Sequence, residues 1–403
     1  MQQNNKFRFF SRERKKSKLT IMYFNKYVKY LIKNKLNGGR PKDDVKILEP
    51  IVPEKIFIQS TDKCNNIEPY DISSISSVIT DIKDYQELKK DNTLPGIMYF
   101  KEIGINGKIF LAKDVIGQGS SGLIVSYVNE EEGNKTKYGI VIKYGRIQDD
   151  IDILSYIKTR NICQTAYVNS MVNTFQYNDE KRAFIIMEYM DGTLENYLKN
   201  NRDLSYDVIK KIFTDLAAQF YCFSRYELMY TDIKLANILY KCNKNGKDNF
   251  IDFTLGDLGS MTNTNMNNEG IATFPPPERC VEDSCGVFLN PDEKDVIWSL
   301  GILILTIIGY NTLKYSYRDF LKLKKDNDVE ALINDSLVEA KKILSAKIVD
   351  PVHTQGSAPA VVSEVVTSLG FDYFMDILRS MLKVNRDDRI TLREVYAKTR
   401  VIV

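Results

Sequence analysis

The chain has a single histidine, His353, and no C-x-x-C pair among its six cysteines. Both absences weigh against a zinc site, which draws its ligands from clustered Cys and His. The cysteines Cys64, Cys163, Cys222, Cys242, Cys280 and Cys285 are scattered, and the expectation is thiols kept reduced in a cytosol-like compartment. Long apolar runs are missing too. The longest, Val296–Tyr310, has fifteen residues, short of the ~20 that a membrane-spanning helix needs, so it reads as a buried core helix. The N-terminus opens with polar and basic residues rather than a signal-peptide pattern. Net charge is only +3, so the total carries no argument for nucleic acid. No internal repeat stands out. What is there is ordinary globular composition, 43% hydrophobic and 27% charged. The length suits roughly two to three domains.

The charge is unevenly placed. Residues 1–43 hold thirteen basic and two acidic residues, a local +11, and read as a basic N-terminal extension. Within it Phe24, Tyr27, Val28, Leu31 and Ile32 fall at helical spacing with lysines opposite. A basic amphipathic helix of this kind suits an acidic surface, a membrane or nucleic acid. A solvated tail, or a helix packed on its own domain, explains the same residues. Residues 44–96 show no long periodicity and read as a connecting segment. From Ile97 short apolar runs alternate with turns: Met98–Phe100, Ile109–Leu111, Val115–Ile116, Leu123–Val128 and Tyr138–Tyr144. They read as strands of a small antiparallel sheet. After Leu204 the pattern turns mostly helical.

The chemistry concentrates in Tyr230–Tyr240, YTDIKLANILY. Phosphoryl transfer to a hydroxyl needs a carboxylate for the hydroxyl proton, a cation for developing charge, and an oxygen ligand for Mg²⁺. Asp232, Lys234 and Asn237 supply one of each within a single short loop. The stretch resembles the catalytic loop of the eukaryotic-type protein kinases, H-R-D-x-K-x-x-N, with Tyr230 and Thr231 replacing His and Arg.

Other motifs follow in the family's order. Gly117, Gly119 and Gly122 form a G-x-G-x-x-G between two strand-like runs, followed by Ile124. Glycines at this spacing let a hairpin backbone approach phosphates that any Cβ would hold off. Ile140–Lys143 is similar to the V-A-I-K strand, and its lysine needs an acidic partner on the next helix. Family members use Glu there. In DDIDILSYIK, Asp150 shares a face with Ile153, Leu154 and Ile157, so Asp150 is the partner rather than Asp152. Phe184–Tyr189 is similar to the strand leading into the interlobe hinge, where Glu188 and Met190 would bind adenine through their backbone. The metal-binding D-F-G has two candidates, Asp252-Phe253-Thr254 and Asp257-Leu258-Gly259. The second keeps the glycine expected to permit the turn that aims the carboxylate, so Asp257 is chosen. Thr273–Glu278 resembles the A-P-E end of the activation segment, Asp295–Gly301 resembles D-x-W-S-x-G, and Arg389 matches the arginine that pairs with the A-P-E glutamate.

The resemblance, spanning roughly Ile109 to Thr399, implies a bilobal α+β fold. Residues 97–189 would form a β-rich lobe and 190–403 a helical one, together a kinase domain over 97–403. It implies ATP bound through Ile116, Gly117, Gly119, Gly122, Ile124, Lys143, Asp150, Glu188 and Met190. Mg²⁺ would sit on Asn237 and Asp257, with Asp232 and Lys234 catalytic. The D-x-K form of the loop is that of serine/threonine kinases, acting on protein Ser or Thr hydroxyls. The threonine that such kinases carry near the acceptor aligns with Ile271, or with Thr273 if the loop shifts. The Asn-, Lys- and Ile-rich style looks like kinases of large DNA viruses, and the compartment implied is cytoplasmic, or the virion if the protein is viral. Two rivals stay open. One is a pseudokinase scaffold, favoured by Tyr230, Thr231 and Asp150; the other is a small-molecule kinase.

Overall fold

The computed structural model describes residues 57–58, 67–80, 85–87, 98–118, 122–130, 137–145, 147–160, 170–177, 180–201, 204–245, 248–263, 269–271, 273–280, 287–309, 326–348 and 360–400. All of them fall within one compact unit, residues 53–403. The basic stretch 1–43, with its expected helix, lies outside the described residues.

Three short strands come first: β1 (Phe57–Ile58), β2 (Ile67–Pro69) and β3 (Val78–Thr80). After β4 (Tyr85–Glu87) and β5 (Met98–Phe100) follow β6 (Glu102–Ile105), β7 (Lys108–Gln118), β8 (Gly122–Asn129) and β9 (Lys137–Gly145). Helix α1 (Gln148–Arg160) precedes β10 (Met171–Tyr177) and β11 (Glu180–Glu188). One sheet runs in the order β10-β11-β9-β8-β7-β6-β3, antiparallel throughout. The middle of β9 is an unbroken β-branched run, Ile140-Val141-Ile142, buried on both faces. The expected runs Ile109–Leu111 and Val115–Ile116 belong to one strand, β7. Its pairing with β8 slips between Ala112 and Asp114 and again between Val115 and Gly117, and such irregularities break the alternation that marks a strand.

Part of the stretch read as a connecting segment joins this lobe. β11 pairs with β9 only as far back as Glu188 opposite Ile140. The edge of β9 beyond that point, Lys137–Gly139, is taken by β2 in parallel. β3 pairs with β6, and Tyr70 meets Phe110 edge-on at 5.2 Å. Ile72 and Ile75 bury themselves with Phe100, Phe110, Tyr127, Tyr144 and Phe184 in the core of the lobe. The Tyr127 hydroxyl donates to the Phe100 carbonyl at 2.5 Å and shares a hydrogen bond with the Tyr144 hydroxyl at 2.7 Å. Strands of two or three residues carry no readable period, so nothing in 57–80 announced them.

The second lobe begins with β12 (Gly192–Thr193), α2 (Leu194–Asn200), α3 (Tyr206–Ser224) and β13 (Leu228–Tyr230). It continues with β14 (Ile238–Asn245), β15 (Asp248–Leu255), β16 (Met261–Asn263), β17 (Glu269–Ile271) and β18 (Val287–Leu289). The remaining helices are α4 (Glu293–Ile308), α5 (Asp326–Ile348), α6 (Ala360–Met381) and α7 (Leu392–Thr399). Helix α4 is the core helix expected from the fifteen-residue apolar run. Its start is set by a capping box, with Asp292 accepting from Lys294 N and Asp295 reaching back to Asp292 N at 2.9 Å. Trp298, Leu300, Leu303 and Ile304 on it are fully buried, each contributing on the order of 1.5–3 kcal/mol of hydrophobic stabilisation. A short sheet, β1-β15-β14-β12, completes this lobe. No helix among the described residues is long and apolar enough to cross a membrane. One expectation is corrected: Cys222, Cys242 and Cys280 are disulfide-bonded, not reduced.

Candidate active site

The loop with the acidic and basic residues leaves β13, whose three residues are all buried. β13 pairs antiparallel with β16, Tyr230 opposite Met261, and this ladder holds the loop against residues 256–260. Tyr230 donates its hydroxyl to the Gly256 carbonyl at 2.6 Å. Thr231, also buried, donates to the Ser260 carbonyl at 3.4 Å. Asp232 comes next, with its two carboxylate oxygens differently engaged. Oδ2 accepts from Lys234 Nζ at 2.6 Å and Asn237 Nδ2 at 2.9 Å. Oδ1 accepts from the Thr273 hydroxyl at 2.9 Å. Of the two positions left open by the sequence, Ile271 and Thr273, it is Thr273 whose hydroxyl reaches Asp232.

Asn237 Nδ2 also reaches the Asp232 carbonyl at 3.0 Å. The amide nitrogen is thereby committed to Asp232, so Oδ1 is the atom left to face a cation. The Asn237 carbonyl accepts from Gly256 N at 2.7 Å, which brings the next residue, Asp257, alongside. Asp257 sits in the left-handed region at φ 53°, ψ 65°. A non-glycine residue there costs on the order of 1–2 kcal/mol, least for Asp and Asn. The glycine expected to permit this turn does not make it. The positive φ belongs to Asp257 itself, and Gly259 has an unexceptional backbone.

Lys143, 2% exposed within the buried part of β9, joins the two lobes' charges. Its Nζ lies 2.8 and 3.0 Å from the two oxygens of Asp150 and 2.7 Å from Asp257 Oδ1. Asp152 points elsewhere, accepting from Gln148 at 2.8 Å. Burial pushes the Asp150 carboxyl above its ordinary range, and the neighbouring Lys143 charge opposes that rise. Asp252, the rival metal candidate, lies on β15 opposite Lys241. It accepts from Asn243 at 2.7 Å and stands 3.3 Å from Lys211.

Of the glycine loop, Gly117 and Gly122 are described and Gly119 lies outside the described residues. Gly122 faces Gly145 across β8 and β9, and a Cβ there would stand 2.3 Å from the Tyr144 carbonyl. That closeness excludes every other residue. A Cβ on Gly117 would touch Ile124 at 3.3 Å, while Ile116 before it is half exposed. At the hinge, Glu188 ends β11 and Met190 follows, partly buried. The Glu188 carboxylate pairs with Lys241 of β14, a tie between hinge and second lobe that the sequence did not suggest.

The end of the activation-like segment is anchored by charge. Arg389 grips Glu278 with both nitrogens, Nη1–Oε1 at 2.5 Å and Nη2–Oε2 at 2.7 Å, and lies over the Trp298 ring at 4.8 Å. Arg389 is fully buried and Glu278 only partly so, and removing Glu278 would leave a buried unpaired charge, which costs about 3–5 kcal/mol. Arg279 makes a second, unforeseen pair with Asp295, Nε–Oδ1 at 3.0 Å and Nη2–Oδ2 at 2.9 Å. Burial raises the Asp295 carboxyl despite that arginine. Ser299 donates to the Phe274 carbonyl at 2.8 Å, fixing the backbone next to Thr273.

The donor set suits a hard divalent cation. Asp257 and Asn237 both carry side-chain oxygens, the donor type that hard divalent cations take together with phosphate oxygens and water. A protein kinase domain family model matches residues 110–399. The chain belongs to that family, and the family implies ATP as phosphoryl donor, with a divalent metal. Similar proteins include testis-specific serine/threonine-protein kinase 2 of Mus musculus, 26% identical over 249 residues, 59% of this chain and 66% of that protein. Mitosis inducer protein kinase cdr1 of Schizosaccharomyces pombe is 23% identical over 296 residues, 70% of this chain and 40% of that protein. Serine/threonine-protein kinase 1 of Heliothis zea nuclear polyhedrosis virus is 26% identical over 140 residues, 34% of this chain and 48% of that protein. In each case the match spans less than two thirds of the relative's own length.

Proposed function

We propose that the chain is an ATP-dependent serine/threonine protein kinase. The observation that carries this is the Asp232 carboxylate, which holds a side-chain hydroxyl on Oδ1 and the Lys234 ammonium on Oδ2. An acceptor hydroxyl placed as Thr273 is placed would lose its proton to Asp232 while its oxygen forms the new bond to the γ-phosphorus. The bridging P–O bond breaks and ADP leaves with its electron pair. Lys234 sits where it can offset charge on the moving phosphoryl. Lys143, aimed by Asp150, takes the α- and β-phosphates. Asn237 and Asp257 would hold Mg²⁺, which supplies charge neutralisation at the β- and γ-oxygens. Ile116, Gly117, Gly119, Gly122 and Ile124 cover the nucleotide, with the backbone of Glu188 and Met190 on the adenine edge.

The test is transfer from labelled ATP to a generic protein acceptor, followed by phosphoamino-acid analysis. Phosphoserine or phosphothreonine is expected, and Asp232→Asn should abolish transfer, by about 10³-fold or more, while ATP still binds. Activity of that variant within tenfold of wild type overturns the assignment. Absence of turnover in the wild type favours the scaffold reading, and labelled sugars or amino-alcohols in place of protein favour the small-molecule reading. Residues 1–43 are proposed to hold the enzyme on an acidic surface or nucleic acid, with binding that falls as salt rises. The proposed compartment is the cytoplasm, or a virion, where disulfides such as those of Cys222, Cys242 and Cys280 persist. Alkylation before and after reductant separates these two.

A further inference from the structure

The partner of Lys143 is an aspartate, one methylene shorter than the glutamate that the resemblance to protein kinases led us to expect. Yet the pair is fully made, at 2.8 and 3.0 Å to the two oxygens. Something must bring the helix that carries the carboxylate closer. α1 packs directly on the turn at Leu258–Ser260, and the contact point is Gly259. A Cβ built on Gly259 would stand 2.9 Å from Asp150 Oδ2, 3.1 Å from Cγ and 3.2 Å from Oδ1. The carboxylate has no room to step aside. It is buried at 2% exposure, with the buried Lys143 ammonium gripping both oxygens. The Gly259 backbone is one that any residue adopts, so the glycine is needed here for space.

We infer that Gly259 is a positioning residue: its bare Cα is the floor against which the short Asp150 carboxylate reaches Lys143, and the site is thereby fitted to aspartate and closed to glutamate. A glutamate at 150 would drive its extra methylene into that floor, and overpacking a filled site is destabilising. It would also swing Lys143, whose third bond at 2.7 Å goes to Asp257. The family's usual residue is therefore the damaging one in this chain. This inference rests on the reading of Lys143 as a phosphate ligand, and the test separates the two.

The experiment is a double-mutant cycle over Gly259→Ala and Asp150→Ala, with Asp150→Glu measured alongside. Three readouts are taken on the full chain: kcat and KM for ATP in protein phosphorylation, Kd for a fluorescent ATP analogue with Mg²⁺, and thermal midpoint. Gly259→Ala in the wild-type background should weaken nucleotide binding and kcat/KM by about tenfold or more. In the Asp150→Ala background, where the carboxylate is gone, the same change should cost less than about twofold. Asp150→Glu should keep its charge yet lose about tenfold in kcat/KM, with a thermal midpoint below that of wild type. Equal losses from Gly259→Ala in both backgrounds, or near wild-type activity of Asp150→Glu, overturn the inference. Should the wild type bind nucleotide without turning it over, the kinase reading fails and the binding cycle still decides the Gly259 contact. Should Gly259→Ala fail to fold, Asp150→Glu carries the decision.

Discussion

Lys143 and Lys211 are both buried, at 2% and 1% exposure, and each stands between two aspartates. Around Lys143 the inner acid is Asp150 and the outer one Asp257; around Lys211 they are Asp215 and Asp252. The inner acids are buried, and both outer acids have side chains 37% exposed. By charge, burial and composition the clusters match. They differ in what else their oxygens do. Asp215 Oδ2 accepts from Phe253 N at 3.1 Å, and Asp252 accepts from Asn243 at 2.7 Å. Gln219, one turn on, accepts from Leu255 N at 2.9 Å, so the cluster riveting α3 to β15 is saturated by protein. Asp257 instead is itself left-handed and follows Gly256, whose N–H donates to the Asn237 carbonyl, and Asn237 in turn donates to Asp232. A strut and a site can be built from the same parts; saturation distinguishes them.

The strongest way to break the comparison is to remove each lysine in turn. Lys143→Met should lower kcat/KM for ATP by about 10²-fold or more and, with Asp150 left buried and unpaired, should lower stability as well. Lys211→Met should cost stability alone. With Asp215 left buried and unpaired, stability should fall by about 3–5 kcal/mol in urea titrations, while the folded fraction turns over normally. Equal losses of activity from both would show that the second cluster is no mere strut.

A finer contrast uses the outer acids. Asp257→Ala should abolish the Mg²⁺ dependence of nucleotide binding, whereas Asp252→Ala should leave turnover within about threefold, since half-exposed pairs contribute little. The measurement is nucleotide titration with and without Mg²⁺. If Asp252→Ala is the variant that loses the metal response, the ligand has been misplaced by five residues.

The smallest effect is one of pH. Burial pushes Asp215 from 3.8 up to about 6, against the pull of Lys211. A carboxyl with a raised folded pKa binds its proton more tightly when folded. Its stabilising contribution is therefore complete below about pH 4 and is lost as pH climbs through about 6, some 3 kcal/mol in all. Stability of Asp215→Asn measured from pH 4 to 6.5 should rise more steeply with pH than that of wild type, by up to that amount. An unchanged slope would show that Asp215 is ionised throughout this range.

Much of the site was legible because its chemistry is local. Asp232, Lys234 and Asn237 occupy one loop, and Asp150 was separable from Asp152 by helical register. The glycine that marks Asp257 over Asp252 in the sequence stands two residues on, and in the fold it leaves space for Asp150 instead of making a turn. Long-range pairings were the illegible part. Nothing near Arg279 points to Asp295, sixteen residues on, and Thr273 could be told from Ile271 only by the path of the segment. β2 and β3 were missed for a different reason, being too short to show a period.

Those short strands bear on how the protein stays out of trouble before it does any chemistry. The family match begins at residue 110, yet Lys137–Gly139 of β9 is covered by β2, which lies far upstream. A Cβ on Gly139 would meet Ile67 at 2.6 Å and the hinge residue Tyr189 at 2.7 Å, so the cover is close-fitting. Uncovered, that edge would offer unpaired N–H and C=O groups, a template for a strand from another molecule. The segment before the kinase domain thus completes the backbone pairing of that edge. A protein trimmed to the family boundary would keep every catalytic residue and be expected to clump.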